Sequence, residues 1–314
     1  MRAVLCTKYG PPEVLRLMEV EKPVAKANEV CIRLHATTVT GSDVIVRSGQ
    51  VSKKWMWFLM RLALGFTGPR ARILGALVAG EIESVGKDVK RFQPGDAVFG
   101  VTIKTPTRPR MGTYAEYRCL PEDSVILPKP SNLTFEEAVA IPYGGLLALH
   151  FLQKGCIASG HKVLINGASG AVGSSAVQLA RASGAEVTGV CSTANLGLVR
   201  SLGAEDVIDY TKQDCTLGDD RYDLVLDAVP ASMSDRVGFH SKCQRILKSD
   251  GRHVSVDDGR PKMTTSALAL LKELCEAGKL RPVIGRTYPL EQVAEAHRYV
   301  DTGHKVGSVV IAIR

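Results

Sequence analysis

The sequence has 314 residues and a mass of 33.8 kDa, which is the length of about two domains. Hydrophobic residues make up 45% and charged residues 23%, and this mixture excludes disordered, collagen-like and coiled-coil chains. The net charge of +8 is confined to two acid-free segments, residues 44–80 with six basic residues and residues 104–110 with three. The rest of the chain is close to neutral, so the charge does not favour nucleic acid as the partner.

The eight cysteines are scattered, and none belongs to a Cys-x-x-Cys motif that would bind a structural metal. This pattern is typical of free thiols in a reducing compartment. The N-terminus has no apolar core of a signal peptide, and the longest apolar stretch, residues 55–60, is too short to span a bilayer. These features predict a soluble cytoplasmic protein.

The first 125 residues are predicted to be rich in β-structure, because short apolar runs alternate with turn residues. These runs are residues 30–35, 78–85, 97–101 and 114–120. A helix is predicted from about residue 133. Ser131 and Thr134 are both candidates for its N-cap, since each is followed by glutamate within the first turn.

From residue 162 the pattern alternates strand and helix, which predicts a parallel sheet covered by helices on both faces. The predicted strands are residues 163–166, 186–191, 206–209, 224–227 and 253–256. The predicted helices are residues 174–183, 196–202, 241–247 and 266–277. The helix at 241–247 is expected to end before Gly251. The last segment is predicted to contain a helix at 291–300 and a strand at 306–313.

A glycine-rich turn joins the first of these strands to the first helix, with the pattern Gly/Ala-x-Gly-x-x-Gly. Gly170 allows a pyrophosphate to approach the backbone, and Gly173 allows the helix to pack close to the strand. The residues predicted to bind the pyrophosphate are Ala168, Ser169, Gly170, Ala171, Val172 and Gly173. Because three further β–α units follow, the turn predicts a dinucleotide-binding site.

The residues after the second strand bear on the choice of nicotinamide cofactor. An acidic residue there would bind the adenosine ribose 2′-hydroxyl of NAD, but residues 191–195 are Cys-Ser-Thr-Ala-Asn. Hydroxyl and amide groups suit a 2′-phosphate, and no carboxylate repels it. The sequence therefore favours NADPH.

Several stretches in a fixed order resemble the zinc-independent quinone oxidoreductase branch of the medium-chain dehydrogenase/reductase superfamily. They are residues 79–86, 92–100, 112–117, 163–173, 190–193 and 201–210. The resemblance implies an α/β chain in which a Rossmann doubly wound parallel sheet is inserted in a β-rich, GroES-like catalytic domain. The implied GroES-like domain comprises residues 1–126 and 284–314, and the implied Rossmann NADP-binding domain comprises residues 127–283.

The resemblance also implies cofactor residues beyond the glycine turn. Ser192, Asn195 and Tyr210 would surround the 2′-phosphate, and Val229 would lie near the nicotinamide. Asn195 stands where relatives often carry lysine. The family often has a sixth Rossmann strand, but here residues 257–263 lead directly into a helix, so a five-stranded sheet is expected.

The zinc-dependent relatives place Cys, His and a third ligand where this chain has Thr40, Ala76 and about Tyr143. These three side chains cannot form a catalytic zinc site, so no metal is expected. Thr40, Asp43 and Tyr143 are the candidate catalytic residues. Thr40 is interpreted either as a donor to an enolate oxygen or as a locally satisfied strand residue.

Asp43 is interpreted either as the N-cap of the helix that reaches Arg47 or as a general acid, and Tyr143 as a cleft or a core residue. The segment 51–72 contains both tryptophans among basic residues. It is interpreted as a lid over the substrate cleft, as a membrane-surface patch or as a packed helix.

Without a metal, the accessible chemistry is hydride transfer to an acceptor that is already electrophilic. The predicted function is therefore an NADPH-dependent reductase of quinones or α,β-unsaturated carbonyls. The alternatives are a non-catalytic NADPH-binding protein with a basic recruiting surface, and a zinc-free alcohol or carbonyl dehydrogenase. A homodimer is expected from the resemblance.

Overall fold

The computed structural model describes residues 1–49, 61–62, 64–102, 111–219, 221–230, 236–259 and 261–314. The chain divides into two compact units. The first comprises Met1–Pro142, Lys262–Glu273 and Ile284–Arg314, and the second Tyr143–Pro261 and Leu274–Val283. The domain bounds that the resemblance implies, residues 1–126 with 284–314 and residues 127–283, stay a prediction.

The first unit is built on two sheets. A hairpin pairs β1 (Arg2–Cys6) with β2 (Leu15–Glu19). The strands of the larger sheet are β3 (Glu29–Val39), β4 (Leu77–Val85), β5 (Ala97–Val101), β6 (Tyr117–Pro121), β7 (Val125–Pro128), β13 (Ile284–Pro289) and β14 (Ser308–Ala312). Within the described residues their order is β13-β14-β3-β4-β5-β7, and β6 pairs with β3.

The long strand β3 organises this sheet, because β4 lies along one side of it and both β6 and β14 pair along the other. Val30, Ile32 and Leu34 are buried in the main apolar core of the unit. This core also receives Val293 and Val300 from helix α7 (Val293–Asp301), since the helix presents an apolar face to the sheet.

The second unit contains a five-stranded parallel sheet within the described residues, as the sequence predicts. Its strands are β8 (Lys162–Asn166), β9 (Glu186–Cys191), β10 (Asp206–Asp209), β11 (Tyr222–Asp227) and β12 (Leu247–Ser255). Their order is β10-β9-β8-β11-β12. The central strands are apolar and buried, which is typical of a sheet covered on both faces.

The described helices run between and beside these strands. They are α1 (Gly41–Ser48), α2 (Phe135–Lys154), α3 (Ala171–Ala182), α4 (Leu196–Ser201), α5 (Arg236–Cys243), α6 (Thr265–Glu276) and α7 (Val293–Asp301). Of the two candidate caps of α2, Thr134 is the one used: its hydroxyl accepts from the Glu137 N–H, and its own N–H donates to the Glu137 carboxylate. None of the described helices is long and apolar enough to cross a membrane.

Two sequence-based predictions about the second half of the chain are wrong. The helix expected at residues 241–247 ends at Cys243, and Leu247 already begins β12. Gly251 does not stop a helix but lies inside β12, where the register with β11 shifts. In addition, β13 was not predicted at all. The segment 51–60, with both tryptophans, lies outside the described residues.

Candidate functional site

The carboxyl edge of the second unit's sheet has a topological switch point between β8 and β11. The chain proceeds from β8 to β9 and β10 on one side, and then returns to β11 and β12 on the other. Ligands of doubly wound sheets bind in the crevice that this reversal creates. Asn166 ends β8 and Asp227 ends β11, and the Asn166 amide donates to the Asp227 carboxylate at 3.0 Å.

The glycine turn follows β8 directly, as predicted. The Ala168 N–H donates to the Val190 carbonyl at 2.9 Å, which joins the turn to β9. A Cβ on Gly173 would lie 2.1 Å from the Gly167 carbonyl oxygen, so the start of α3 packs against the turn too closely for any side chain. Ala168 and Ala171 are buried, whereas Ser169 and Val172 are half-buried.

Gly170, the N-cap of α3, has a different environment. A Cβ there would meet only the Gly167 carbonyl oxygen, at 3.4 Å, so the space above it is open. Gly170 offers no side-chain cap, and the first turn of α3 contains no acidic residue. The first backbone N–H groups of a helix have no partner within the helix, and its dipole favours an anion at this end. These residues fit the pyrophosphate of a dinucleotide.

Val229, predicted to lie near the nicotinamide, is fixed at the same edge. Its N–H donates to the Asp227 carboxylate at 3.1 Å. A Cβ on Gly167 would lie 2.8 Å from Val229 Cγ2, so Val229 lies against the glycine turn. The structure therefore brings Val229, Gly167 and the ends of β8 and β11 together. Asp227 and Asn166 are candidate site residues that the sequence reasoning missed.

The residues after β9 form the next part of the site. Asn195 Nδ2 donates to Ser192 Oγ at 3.1 Å, which leaves the Ser192 hydroxyl proton and the second Asn195 N–H available. Tyr210 follows β10, and its N–H donates to the Cys191 carbonyl at 3.1 Å. The Tyr210 side chain is 53% exposed. Three predicted 2′-phosphate residues thus follow two adjacent strands at one edge of the sheet.

A hydroxyl–carboxylate cluster that the sequence reasoning missed supports these residues. Asp209 accepts from the Thr193 hydroxyl, and from the N–H and hydroxyl of Thr211 at 3.0 and 2.7 Å. These hydrogen bonds lower the pKa of Asp209 to about 2. Lys212 Nζ lies 3.7 Å from the same carboxylate, and its side chain is 68% exposed. The signal was Asp209 followed two residues later by threonine, which is typical of an Asx-turn.

A cavity of about 480 Å³ opens beside this cluster, a volume within the range of small-molecule sites. It is lined by Asn166, Val190, Tyr210, Thr211, Lys212, Gln213, Asp214, Cys215 and Phe239. Tyr210 offers a ring for stacking, and the Asn166 amide marks the end of β8 at the switch point. The cavity thus extends from Tyr210 to Asn166 at the switch point, whereas the other two predicted 2′-phosphate residues, Ser192 and Asn195, do not line it.

In the first unit, Thr40 and Asp43 lie together at the start of α1. Thr40 is the N-cap: its hydroxyl accepts from the Asp43 N–H at 3.3 Å, and its N–H donates to Asp43 Oδ2 at 2.8 Å. The interpretation of Asp43 as the N-cap is therefore wrong, because it supplies the third helical position of a capping box. Thr40 follows β3 rather than lying in it, which also corrects its reading as a strand residue.

The Asp43 carboxylate is closed off from solvent, with no exposed surface. It accepts from the Thr40 hydroxyl at 2.6 Å and from the Gly75 N–H at 3.2 Å. Burial raises its pKa, although these hydrogen bonds oppose the effect. The proton of Thr40 is directed at Asp43, so Thr40 donates to a substrate only if this bond is exchanged.

The cluster continues into the core through Tyr114 and His297. Burial raises the pKa of Tyr114, whose hydroxyl also interacts with Asp43. Tyr114 Oη lies 3.2 Å from His297 Nε2. Burial, with a contribution from the charge of Arg47, lowers the pKa of His297 to about 3. Tyr143, the third candidate catalytic residue, is half-buried on α2 and belongs to the second unit.

Comparisons with known proteins test the family. "Alcohol dehydrogenase GroES-like domain" matches residues 26–131, and "Zinc-binding dehydrogenase" matches residues 171–278 and 259–311. The 2-methylene-furan-3-one reductase of Solanum lycopersicum is 33% identical over 99% of this chain and 79% of that protein. The chloroplastic NADPH-dependent alkenal/one oxidoreductase of Arabidopsis thaliana is 31% identical over the same shares. The solved quinone oxidoreductase from Coxiella burnetii is 29% identical with a TM-score of 0.85, covering 100% of this chain and 99% of that one.

The chain belongs to the medium-chain dehydrogenase/reductase superfamily, in its quinone oxidoreductase branch. Membership in this superfamily makes the chain an oxidoreductase enzyme and confirms the predicted fold class and the predicted relationship. The matching description includes zinc binding, but the ligand positions that the resemblance implies carry Thr40, Ala76 and about Tyr143. Among the residues that the structure describes, no three His, Cys, Asp or Glu side chains group so that they hold a metal ion.

Proposed function

We propose that this protein is a zinc-independent, NADPH-dependent reductase of quinones or α,β-unsaturated carbonyl compounds. The observation that carries the proposal is the open space at Gly170 above the uncapped start of α3, at the switch point of the sheet. A side chain is sterically accepted at this position, yet none is present. That arrangement suits a large anion that needs the backbone N–H groups.

The cofactor is held by residues of the second unit. The first-turn N–H groups of α3 bind the pyrophosphate, while the Ser192 hydroxyl, the Asn195 amide and Tyr210 surround the 2′-phosphate. NADPH supplies the hydride for the reaction. The name of the Arabidopsis relative, an NADPH-dependent alkenal/one oxidoreductase, supports the phosphorylated cofactor. The absence of an acidic residue directly after β9 supports it independently.

The proposed acceptors follow from the ligand positions in the first unit and on α2. Thr40, Ala76 and Tyr143 offer no set of zinc ligands, so the chain itself does not provide a Lewis acid to polarise an isolated carbonyl. Quinones and enones accept hydride without one, because the negative charge is delocalised and water supplies the proton. The names of the tomato and Coxiella relatives support these acceptors. Thr40, Asp43 and Tyr143 stay the proposed catalytic residues, with Asp43 holding Thr40.

The test is a panel of quinones, enones and alcohols with NADPH or NADH, each assayed with and without a metal chelator. We expect NADPH oxidation with quinones or enones at a rate that the chelator leaves unchanged, and weaker use of NADH. Tight NADPH binding without turnover of any acceptor would overturn the proposal in favour of a non-catalytic cofactor-binding protein. Alcohol-dependent reduction of NADP would favour the dehydrogenase alternative.

We also propose a homodimer in the cytoplasm as the working state of the protein. The homodimer is expected from the family resemblance, and β12 is the edge strand of the five-stranded sheet in the part of the chain that the structure describes. Mass measurement by light scattering tests the dimer. Fractionation of cells that produce the protein tests its location.

A further inference from the structure

Two cysteines face each other across strands of the first unit. Strand β3 pairs antiparallel with β6, and Cys31 is the direct partner of Cys119 in this register. Cys31 is 1% exposed, whereas Cys119 is partly exposed. Their separation in the sequence is large, so neither local motif nor spacing reveals the pair.

The hydrogen bonds of the two strands define the type of position that this pair occupies. In antiparallel strands, hydrogen-bonded and non-hydrogen-bonded residue pairs alternate. The Leu34 N–H donates to the Glu116 carbonyl at 2.8 Å, and the Glu122 N–H donates to the Asn28 carbonyl at 3.1 Å. Both pairs lie in the same register as the cysteines. Counting inward from either one places Cys31 and Cys119 at a non-hydrogen-bonded position.

This position has the right dimensions for a disulfide. Directly opposite residues at non-hydrogen-bonded positions have Cα atoms about 4.5 Å apart. Disulfides in proteins span Cα separations of roughly 4.4–6.8 Å. Both side chains leave the sheet on the same face, because directly paired residues do so. The backbone therefore does not have to move far for the two sulfur atoms to bond.

The two thiols already interact in the reduced protein. Their mutual hydrogen bond lowers the pKa of Cys119, and the same bond together with burial raises the pKa of Cys31. Cys31 Sγ also lies 3.8 Å from the Pro23 carbonyl and from Glu83 Oε2. The partly exposed thiol is thus the better nucleophile, and the buried thiol is positioned to resolve an adduct on it.

We propose that Cys31 and Cys119 are a reversible modification site, a dithiol that closes to a cross-strand disulfide on exposure to a low-molecular-weight disulfide such as oxidised glutathione. The Cys119 thiolate attacks one glutathione sulfur and releases a glutathione thiolate. Cys31 then loses its proton and attacks Cys119 Sγ, which releases the second glutathione. Two protein thiols are oxidised to one disulfide, and one glutathione disulfide is reduced to two thiols.

The six remaining cysteines, all of which the structure describes, have different surroundings. Cys156 is exposed and lies just after α2, outside any strand. Burial raises the pKa of Cys6 and Cys191 to about 11 and that of Cys275 to about 12. Burial raises the pKa of Cys243 to about 12, and the nearby Cys215 contributes to this rise. They lie in a loop and at the end of α5, however, without a strand register that aligns them. This second pair is the natural rival in the test.

The test is incubation of the folded full-length chain with oxidised glutathione, followed by acid quenching, unfolding and alkylation of the remaining thiols. Intact mass and non-reducing peptide mapping give the number and position of the lost thiols. We expect the wild type to lose two of its eight alkylatable thiols, to be lighter by two hydrogens before alkylation, and to yield a peptide that joins residue 31 to residue 119. Reduced glutathione in excess should restore all eight thiols.

Three variants separate the proposal from general oxidation. Cys31→Ser should stop at the mixed disulfide and gain the mass of one glutathione at Cys119, because the resolving thiol is missing. Cys119→Ser should lose no thiol at Cys31. Cys6→Ser, a buried cysteine of the same unit, should behave as the wild type does.

Eight thiols in the oxidised wild type, a stable glutathione adduct at Cys119 or a link between Cys215 and Cys243 alone would overturn the proposal. Melting curves of the reduced variants show whether each one is folded, so a folding defect is not mistaken for lost reactivity.

Discussion

Asp43 and Asp209 are two of the carboxylates that accept hydrogen bonds from threonine hydroxyl groups, but their surroundings have opposite effects on their charge. Asp43 in the first unit has no exposed surface, and burial raises its pKa. Asp209 in the second unit is covered by the loop around Thr193 and Thr211, and their hydrogen bonds lower its pKa to about 2. The comparison teaches that similar local chemistry stabilises a core around Asp43 and organises the residues proposed to bind the cofactor around Asp209.

The same contrast applies to the groups around each carboxylate. Around Asp43, the hydroxyl of Thr40 and the N–H of Gly75 are already paired with it. Around Asp209, the Ser192 hydroxyl and the Lys212 ammonium keep donors for a ligand. The residues around Asp209 therefore have more capacity to recognise a cofactor, and the residues around Asp43 have more influence on stability.

The largest effect is expected for Asp43→Ala. It leaves the buried N–H groups of Thr40 and Gly75 without an acceptor, which costs about 3 kcal/mol in the free energy of unfolding. Urea denaturation measures this loss. Asp43→Asn keeps one acceptor oxygen and should lose less. Asp209→Ala, the matched variant of the other cluster, should cost clearly less than Asp43→Ala, and an equal loss in the two would contradict the comparison.

The next effect concerns the open space in the second unit. Gly170→Leu places a side chain where the cofactor-free protein has space for it. Gly170 has a φ of −75°, and a Cβ there would make an ordinary contact at 3.4 Å. We expect an unchanged melting temperature but a loss of NADPH affinity of about 100-fold, because the side chain covers the N–H groups. Fluorescence titration measures the affinity. Gly197→Ala on α4 is the control, and unchanged binding by Gly170→Leu would exclude the proposed pyrophosphate site.

The stability of the protein is expected to fall at acidic pH because His297 is buried. Its folded pKa of about 3 lies below its ordinary value of 6.5, so the unfolded chain binds the proton more tightly. The stabilising contribution is complete above about pH 6.5 and is lost as the pH falls from there toward 3. We expect the wild type to lose about 2 kcal/mol more than His297→Gln between pH 6.5 and 5.

Urea denaturation at both pH values gives this difference. His297→Gln keeps a hydrogen-bonding partner for Tyr114 while removing the group that titrates. Tyr114, whose hydroxyl lies 3.2 Å from the His297 ring, keeps its proton over this interval, because burial raises its pKa. Equal losses in the wild type and the variant would show that His297 is not held neutral by the fold.

The sequence predicts the parts of the fold whose signal is local. The glycine turn needs residues of small size at fixed spacing, so Gly170 and Gly173 are recognisable without any tertiary contact. Thr40 and Asp43 also carried a local signal, since threonine followed three residues later by an acid indicates a capping box. That pattern predicts Thr40, not Asp43, as the N-cap.

Other features depend on partners that are distant in the sequence. Gly251 resembles a helix stop, but a Cβ there would lie 2.6 Å from the Tyr222 carbonyl, so glycine is required by close approach of β11. Strand β13 is largely exposed and has no apolar alternation, and its pairing with β14 alone defines it. The pairing of Cys31 with Cys119 likewise arises only from the register of two strands.

The smallest expected effect is on cofactor binding near Asp209 and concerns Lys212. The resemblance implies that relatives often carry a lysine at the position of Asn195. Lys212 is a cation directly after Thr211, whose hydroxyl lies 3.1 Å from that of Thr193. Lys212→Gln should weaken NADPH about fivefold in KM and leave the KM for NADH unchanged, because only NADPH has the 2′-phosphate. Higher ionic strength should reduce the difference. Lys248→Gln, which changes a lysine paired with Asp223, is the matched control. An equal rise in KM for NADPH and NADH would show that Lys212 supports the loop and does not contact the 2′-phosphate.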